Sequence, residues 1–437
     1  MTRGTGGRGG PGAAILVALG LLAGLVPAEA WAAAKKARRP APARAVLEKV
    51  EALDPLFERL DLLERGETRL VRILWLGDSH VQADLMTGRA RSILQARFGD
   101  AGPGLVMPGN PWRYFRHDRA RSRGDGGFET IGLARGEPAD PLVGLWGVAL
   151  SPRGEGMAAL EATFGEAEVA ALVPAGGGCL AVAVDGVTAF AGDPGEAADG
   201  GRTGCARVDG AVLRGGETVA FVEPEPRDEG PGTLELRDAC GGAVRVLGAD
   251  LRSGRPGVLV DSVGIIGAEI GWIGRGDREL RRVLLERLDP ALVIVSLGTN
   301  DMGRGDLVPE EFEATATELF RAIREDAPGA ALLVTGPIDR SSRSRRVSRH
   351  LAVNEPLVIR GLRAASRSVE AAFLDLRAVM GGDGAIRAWA RKRLAARDLV
   401  HLSRPGYERL AEEIVSRILA ARDARLSRRP AGAPRPS

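Results

Sequence analysis

Four short segments carry groups that could act together on an ester carbonyl. The first, residues 72–80, reads Arg-Ile-Leu-Trp-Leu-Gly-Asp-Ser-His. Its apolar start predicts a buried strand, Gly77 breaks it, and a helix is expected to begin at Asp78 and Ser79. A hydroxyl at that junction projects from the carboxyl end of a strand, where open α/β sheets place their ligands. Free backbone N–H groups and the helix dipole there also favour developing negative charge. An ordinary helix cap explains the same Asp-Ser pair, so Ser79 needs partners to count as a nucleophile. Asp398 and His401 are candidates, because three-residue spacing in a late loop lets a carboxylate lie beside an imidazole. Asp398 would fix the imidazole tautomer and stabilise its cation, while His401 took the serine proton. The structural alternative is a salt bridge from Asp398 to Arg397 or Arg404. Of the four histidines, His80, His117, His350 and His401, only His401 has an acidic residue so placed.

Two further segments offer hydrogen-bond donors for an oxyanion. Residues 297–301 read Leu-Gly-Thr-Asn-Asp and end the strongest buried-strand pattern of the chain, which begins at Ala291. Asn300 there could present its side-chain N–H groups, although a turn and cap explain it equally. Gly267, in the stretch Gly-Ile-Ile-Gly at 264–267, permits close backbone approach. A simple tight turn is the competing account.

These segments must be positioned by strands and helices, and the chain alternates between the two. Strand patterns at 72–76, 258–263, 291–297, 331–335 and 371–376 alternate with helical patterns at 277–288, 309–327, 351–369 (interrupted near Pro356) and 405–421. That order predicts a doubly wound parallel α/β sheet. Residues 46–63 read as one or two amphipathic helices with Pro55 interrupting. Between about 112 and 250 helical periodicity gives way to short alternating runs and turn signals such as Asp185-Gly186, which predicts an inserted β-sandwich or jelly roll.

The N-terminus reads as a secretory signal, with Arg3 and Arg8 before an apolar core at 13–26 and small residues to about 34. An uncleaved anchor is the runner-up. No later run is long enough to span a bilayer, so no stable membrane span is expected after cleavage, and a periplasmic or secreted location follows. Residues 33–45 are a basic, Pro-rich linker, and residues 426–437 an Arg/Pro/Ala-rich tail expected to be disordered. With 60 Lys+Arg against 57 Asp+Glu, net charge does not imply a nucleic-acid partner. Three cysteines, Cys179, Cys205 and Cys240, allow one disulfide and leave the pairing open. No Cys/His spacing resembles a zinc site, and neither metal nor organic cofactor is expected.

Taken together, Gly-Asp-Ser79, Gly267, Gly-Thr-Asn300-Asp and Asp398-x-x-His401 resemble the four blocks of the SGNH (GDSL-type) serine hydrolases, over roughly residues 70–110 and 256–421. The resemblance implies a flavodoxin-like three-layer α/β/α domain. It implies Ser79, His401 and Asp398 as catalytic triad, with the Ser79 and Gly267 N–H groups and Asn300 as oxyanion hole. His80 replaces the common leucine of the first block, and is given a rim or substrate-contact role rather than that of the base. This variant, the glycine-rich loop at 98–104, the signal and the β-rich insert are similar to periplasmic peptidoglycan O-acetylesterases, whose inserted domain is like a carbohydrate-binding module. The expected organisation is signal peptide 1–32, linker 33–45, hydrolase domain 46–111, insert 112–255, hydrolase domain 256–425 and tail 426–437. Arg340 and Arg343, in an arginine-rich loop after the 331–335 strand, are further candidates for the substrate rim, against the simpler reading of a solvated loop. The expected function is an exported esterase that removes O-acetyl groups from an acetylated polysaccharide. The alternatives are acetyl transfer by the same residues, or non-enzymatic polysaccharide binding through the insert.

Overall fold

The apolar run before Ser79 is a strand, β1 (Leu70–Gly77), in the interior of a six-stranded sheet. Its neighbours are β2 (Gly257–Gly264) and β3 (Leu292–Ser296), followed outward from β3 by β4 (Ala331–Gly336), β5 (Ala372–Asp375) and the short strand Leu47–Glu48. β1 to β5 pair in parallel, and only Leu47–Glu48 runs antiparallel, on β5. The computed structural model describes residues 46–132, 140–154 and 156–428. The signal peptide and linker expected at 1–45 lie outside them.

Period-two alternation in β1 sends its side chains to two cores. Val71, Ile73 and Trp75 pack with the helices α1 (Asp54–Glu64), α2 (Leu85–Phe98) and α6 (Arg404–Arg428). Leu74 and Leu76 face the other core, which holds α4 (Pro309–Asp326) and α5 (Arg345–Ser368), with Leu285 of α3 (Arg278–Leu288). Helices cover both faces, so the strands are apolar throughout, as in a three-layer α/β/α sandwich. Each fully buried Leu, Ile or Val contributes about 1.5–3 kcal/mol relative to exposure. Near the carboxyl ends a polar chain ties three strands: Trp75 Nε1 donates to Ser296 Oγ at 2.7 Å, and Thr335 Oγ1 donates to the same oxygen at 2.8 Å.

The middle of the chain forms a five-stranded and an eight-stranded sheet, both antiparallel in their pairings. Asp185 and Gly186, both at positive φ, turn the predicted hairpin between Gly178–Val184 and Val187–Gly192. Cys179 and Cys240 form the disulfide, with Cα atoms 5.3 Å apart, while Cys205 is free and exposed. A buried trio joins this region to the parallel sheet. Arg72 of β1 reaches Asp261 of β2 at 2.8 Å and Asp250 of the strand Arg245–Arg252 at 2.6 Å. Removing one partner of such a pair strands a buried charge, at a cost of about 3–5 kcal/mol, so the two regions are held in fixed register.

Several expectations need correction. Pro55 starts α1 at its first turn, where a missing N–H costs nothing, instead of interrupting it. The insert's sheet begins before residue 112, because Gly104–Val106 pairs with Arg245–Arg252. Pro356 lies inside a continuous α5, and that helix begins at Arg345, inside the stretch expected to be an arginine-rich loop. α6 runs to Arg428, so residues 426–428 are helical and not part of a disordered tail; 429–437 lie outside the described residues. Among the described residues no helix is long and apolar enough to cross a membrane.

Candidate active site

Ser79 opens a single helical turn, Ser79–Gln82, capped by Asp78, whose carboxylate accepts the His80 N–H at 2.9 Å. This turn lies directly on the end of the sheet. A Cβ placed on Gly264, the last residue of β2, would fall 2.1 Å from the Gln82 nitrogen and 2.7 Å from the Asp78 carbonyl oxygen. Only glycine admits that approach, so Gly264 seats the turn that presents Ser79. The sequence reading weighed Gly264 only as part of the Gly267 segment.

His401 comes from the loop before α6. Its Nε2 lies 3.0 Å from Ser79 Oγ, and its Nδ1 lies 2.8 Å from Asp398 Oδ2. The other Asp398 oxygen accepts the Val400 and His401 backbone N–H groups at 2.9 and 3.0 Å. Burial raises the Asp398 pKa, but the His401 contact and the two backbone donors outweigh it and leave the carboxyl below its usual range. An ionised Asp398 accepts a hydrogen bond from Nδ1–H, which keeps the proton on Nδ1 and leaves Nε2 free to accept from Ser79. Among the described residues Asp398 pairs with His401, and the alternative of a salt bridge to Arg397 or Arg404 is not seen. Leu399, between the pair, sits at φ 59, where a side chain crowds the backbone. Its carbonyl accepts the Ser341 N–H at 2.8 Å, which holds the turn.

The loops after β2 and β3 are laced together. Asn300 Nδ2 donates to the Ala268 carbonyl at 2.8 Å, and the Asp301 carboxyl accepts the Ile270 N–H at 3.2 and 3.3 Å. Gly267 lies at φ 77, open to glycine and strained for other residues. Gly267 and Asn300 both line an open cleft of about 630 Å³, shared with Glu269, Trp272, Arg304 and Arg340. Ser79, Gly267 and Asn300 thus follow the carboxyl ends of three adjacent strands, β1, β2 and β3.

The rim assignments fare unevenly. His80 is only 5% exposed, with Nδ1 2.8 Å from the Tyr407 hydroxyl, which takes it off the rim and into the wall behind His401. Burial pushes its pKa down, so it is neutral near pH 7. A neutral ring 5.3 Å from the His401 ring does not oppose an imidazolium there. Arg340 lines the cleft and donates to the Thr299 carbonyl at 2.6 Å. With the Ser341–Leu399 bond, it makes residues 340–341 a brace between the Asn300 and His401 loops. Arg343 is exposed and does not line the cleft. Sequence reasoning missed Tyr407, the brace and the Asp301 clasp. Only Asp301 gave a signal, by its place next to Asn300.

Burial and the neighbouring Glu269 charge push the Asp301 carboxyl up to about 7, against partial relief from the Ile270 N–H. An unfolded aspartate titrates near 3.8. Between these values the native state holds a proton that the unfolded state has lost, so this group's stabilisation is complete below pH 3.8 and declines as pH rises through 7. Asparagine keeps an acceptor for Ile270 and carries no charge. From pH 5 to pH 8 the wild type should therefore lose about 1–3 kcal/mol relative to Asp301→Asn, read from urea unfolding of both proteins. Parallel pH profiles would rule this out.

Residues 229–409 match the family model described as GDSL-like lipase/acylhydrolase. Over these residues the chain is similar to that family. The match takes in Gly267, Asn300, Asp398 and His401 but starts after Ser79. A solved structure described as "Peptidoglycan O-acetylesterase in action, 5 min" superposes with TM-score 0.68 at 22% identity, over 85% of this chain and 96% of that one. It shares the fold, sheet-rich part included. A family two carbohydrate esterase from Clostridium thermocellum in complex with cellohexaose (14% identity, 68% of this chain and 99% of that one) gives a TM-score of 0.29. A lipase/acylhydrolase from Enterococcus faecalis (20% identity, 38% and 77%) also gives 0.29. Both are too distant to argue from. No curated protein matches the sequence.

Proposed function

We propose that the chain is an exported serine esterase that removes O-acetyl groups from a cell-envelope polysaccharide such as peptidoglycan. The observation that carries the esterase chemistry is the continuous contact from Ser79 Oγ through His401 to Asp398, at 3.0 and 2.8 Å. In this reading His401 takes the Ser79 proton as the oxygen attacks the acetyl carbonyl. The Ser79 and Gly267 N–H groups and Asn300 stabilise the tetrahedral oxyanion. His401 then protonates the departing sugar oxygen, and water activated by the same imidazole releases acetate from the acyl-serine.

Export is supported by the signal-like N-terminal sequence and by the Cys179–Cys240 disulfide, a bond that persists in oxidising compartments. An open, polar cleft beside Gly267 and Asn300 suits a hydrated polymer better than an acyl chain, and the shared fold with a structure described as a peptidoglycan O-acetylesterase directs the choice of polymer. The test is acetate release from O-acetylated peptidoglycan, set beside acetylated xylan and a lipid ester. Peptidoglycan is expected to lead in kcat/KM by about tenfold or more. Equal or faster turnover of the lipid ester would overturn the polysaccharide reading.

A further inference from the structure

A second cavity, of about 350 Å³, shares no lining residue with the Asn300 cleft. One wall is Ala83, Asp84 and Leu85, a few residues beyond Ser79, and another is Arg404, three residues after His401. The remainder comes from residues 110–122, among them Phe115, Arg116, His117, Asp118 and Arg121. The stretch at 112–118 is tied to the nucleophile's turn, because Gln82 Nε2 donates to the Tyr114 carbonyl at 2.7 Å. The cavity is thus built jointly by the two parts of the chain, within a few residues of Ser79 and His401.

Its lining is rich in unengaged donors. Arg121 comes no nearer than 3.8 Å to Glu161, and Arg404 no nearer than 3.8 Å to Asp118 and Glu408, with side chains 74% and 57% exposed. Arg116 is exposed, with no ion pair among the described residues. Neighbouring Arg119, by contrast, is fixed on Asp100 at 2.6 Å. The carboxylates present do not cancel this charge. Asp84 is buried and spent on Arg91 at 2.9 and 3.0 Å, and Asp118, which also lines the cavity, is a single exposed carboxylate against Arg116, Arg121 and Arg404. His117 lies behind this wall and is not itself an exposed donor. Its Nδ1 accepts the Arg119 N–H at 3.2 Å, which puts the ring proton on Nε2. That side chain is 2% exposed, and Nε2 has no hydrogen-bond partner, lying 3.7 Å from Asp84.

We infer that this cavity is a subsite for a carboxylate on the acylated substrate, so that the preferred substrate is an anionic glycan or glycopeptide rather than a neutral polysaccharide. The inference rests on the esterase reading and narrows its substrate class. Guanidinium groups recognise carboxylates with paired N–H donors, and Phe115 gives the cavity an apolar wall for the stem that bears the acid. The arginine-rich segment singled out in the sequence, 339–349, does not line this cavity; the anion-binding donors come from the insert and from the start of α6.

The test uses the full chain and one set of O-acetylated peptidoglycan fragments, with carboxylates free or converted to carboxamides. The Arg116→Ala/Arg121→Ala double variant should lose about tenfold in kcat/KM on the free-acid fragments, mostly through KM. On the amidated fragments and on 4-nitrophenyl acetate it should stay within about twofold of wild type. In the Ser79→Ala background, where nothing turns over, the same two substitutions should weaken binding of the free-acid fragments alone. Equal binding of free-acid and amidated fragments, or equal losses on all substrates, would overturn the subsite. A wild type that hydrolyses none of the esters while binding the free acid selectively would instead overturn the esterase reading and leave the subsite standing.

Discussion

Ser79→Ala is expected to lower kcat for ester hydrolysis by roughly 10⁴–10⁶-fold, with the melting temperature nearly unchanged. The hydroxyl oxygen is the only heavy atom lost, it is part-buried, and among the described residues its one side-chain hydrogen bond is to His401 Nε2 at 3.0 Å. The turn that carries it is held by Asp78, Gly264 and the sheet, none of which needs the oxygen. Activity should therefore collapse without the fold. Asp398→Asn separates the roles further. The amide cannot accept the Nδ1 proton with its nitrogen, so His401 drifts toward the wrong tautomer. Because the Asp398 side chain is 49% exposed, water can take over part of its work. The loss should be smaller than for Ser79, about 10²–10⁴-fold in kcat. Initial rates on a soluble acetyl ester, alongside thermal unfolding, check both. If Ser79→Ala kept more than a tenth of wild-type kcat, Ser79 would not be the nucleophile.

What the sequence disclosed about this site follows from how local each signal is. Residues 72–80 were readable because a strand buried on both faces is a continuous apolar run, and the glycine that ends it is adjacent in sequence. Asp398 and His401 were readable because their contact spans three residues. The contact between Ser79 and His401 crosses 322 residues, and only the pairing of segments by family resemblance anticipated it. His80 misled for the same reason. Its burial depends on Tyr407, 327 residues away and hidden in the ordinary pattern of a closing helix. The brace at 340–341 was invisible because it uses backbone carbonyls of Thr299 and Leu399, and a carbonyl acceptor leaves no trace in residue type. Pro55 and Pro356 were read as breaks because proline is unfavourable inside a helix, yet its penalty depends on position and on packing. The disulfide was undecided because three cysteines allow three pairings, and strand register alone brings Cys179 beside Cys240.

Asn300→Ala should carry the second large effect, a fall in kcat of about 10²–10³-fold with KM little changed. A side-chain amide has two N–H groups. One is donated to the Ala268 carbonyl at 2.8 Å, and the other remains for an oxyanion. Alanine removes both at once. The lost oxyanion donor acts only when charge develops on the substrate oxygen, so it appears in kcat. The lost Ala268 bond acts on the residue next to Gly267 and leaves the Asp301–Ile270 contact as the remaining clasp between the loops. The two consequences can be separated. Asn300→Asp removes both donors too and adds a negative charge where the oxyanion would form, so it should be slower than Asn300→Ala at neutral pH. If the role of Asn300 were only to hold Ala268, the two variants would loosen the loop equally and lose activity equally. A greater loss for aspartate, measured as kcat on a neutral acetyl ester, is the result that places Asn300 beside the reacting carbonyl rather than in the scaffold behind it.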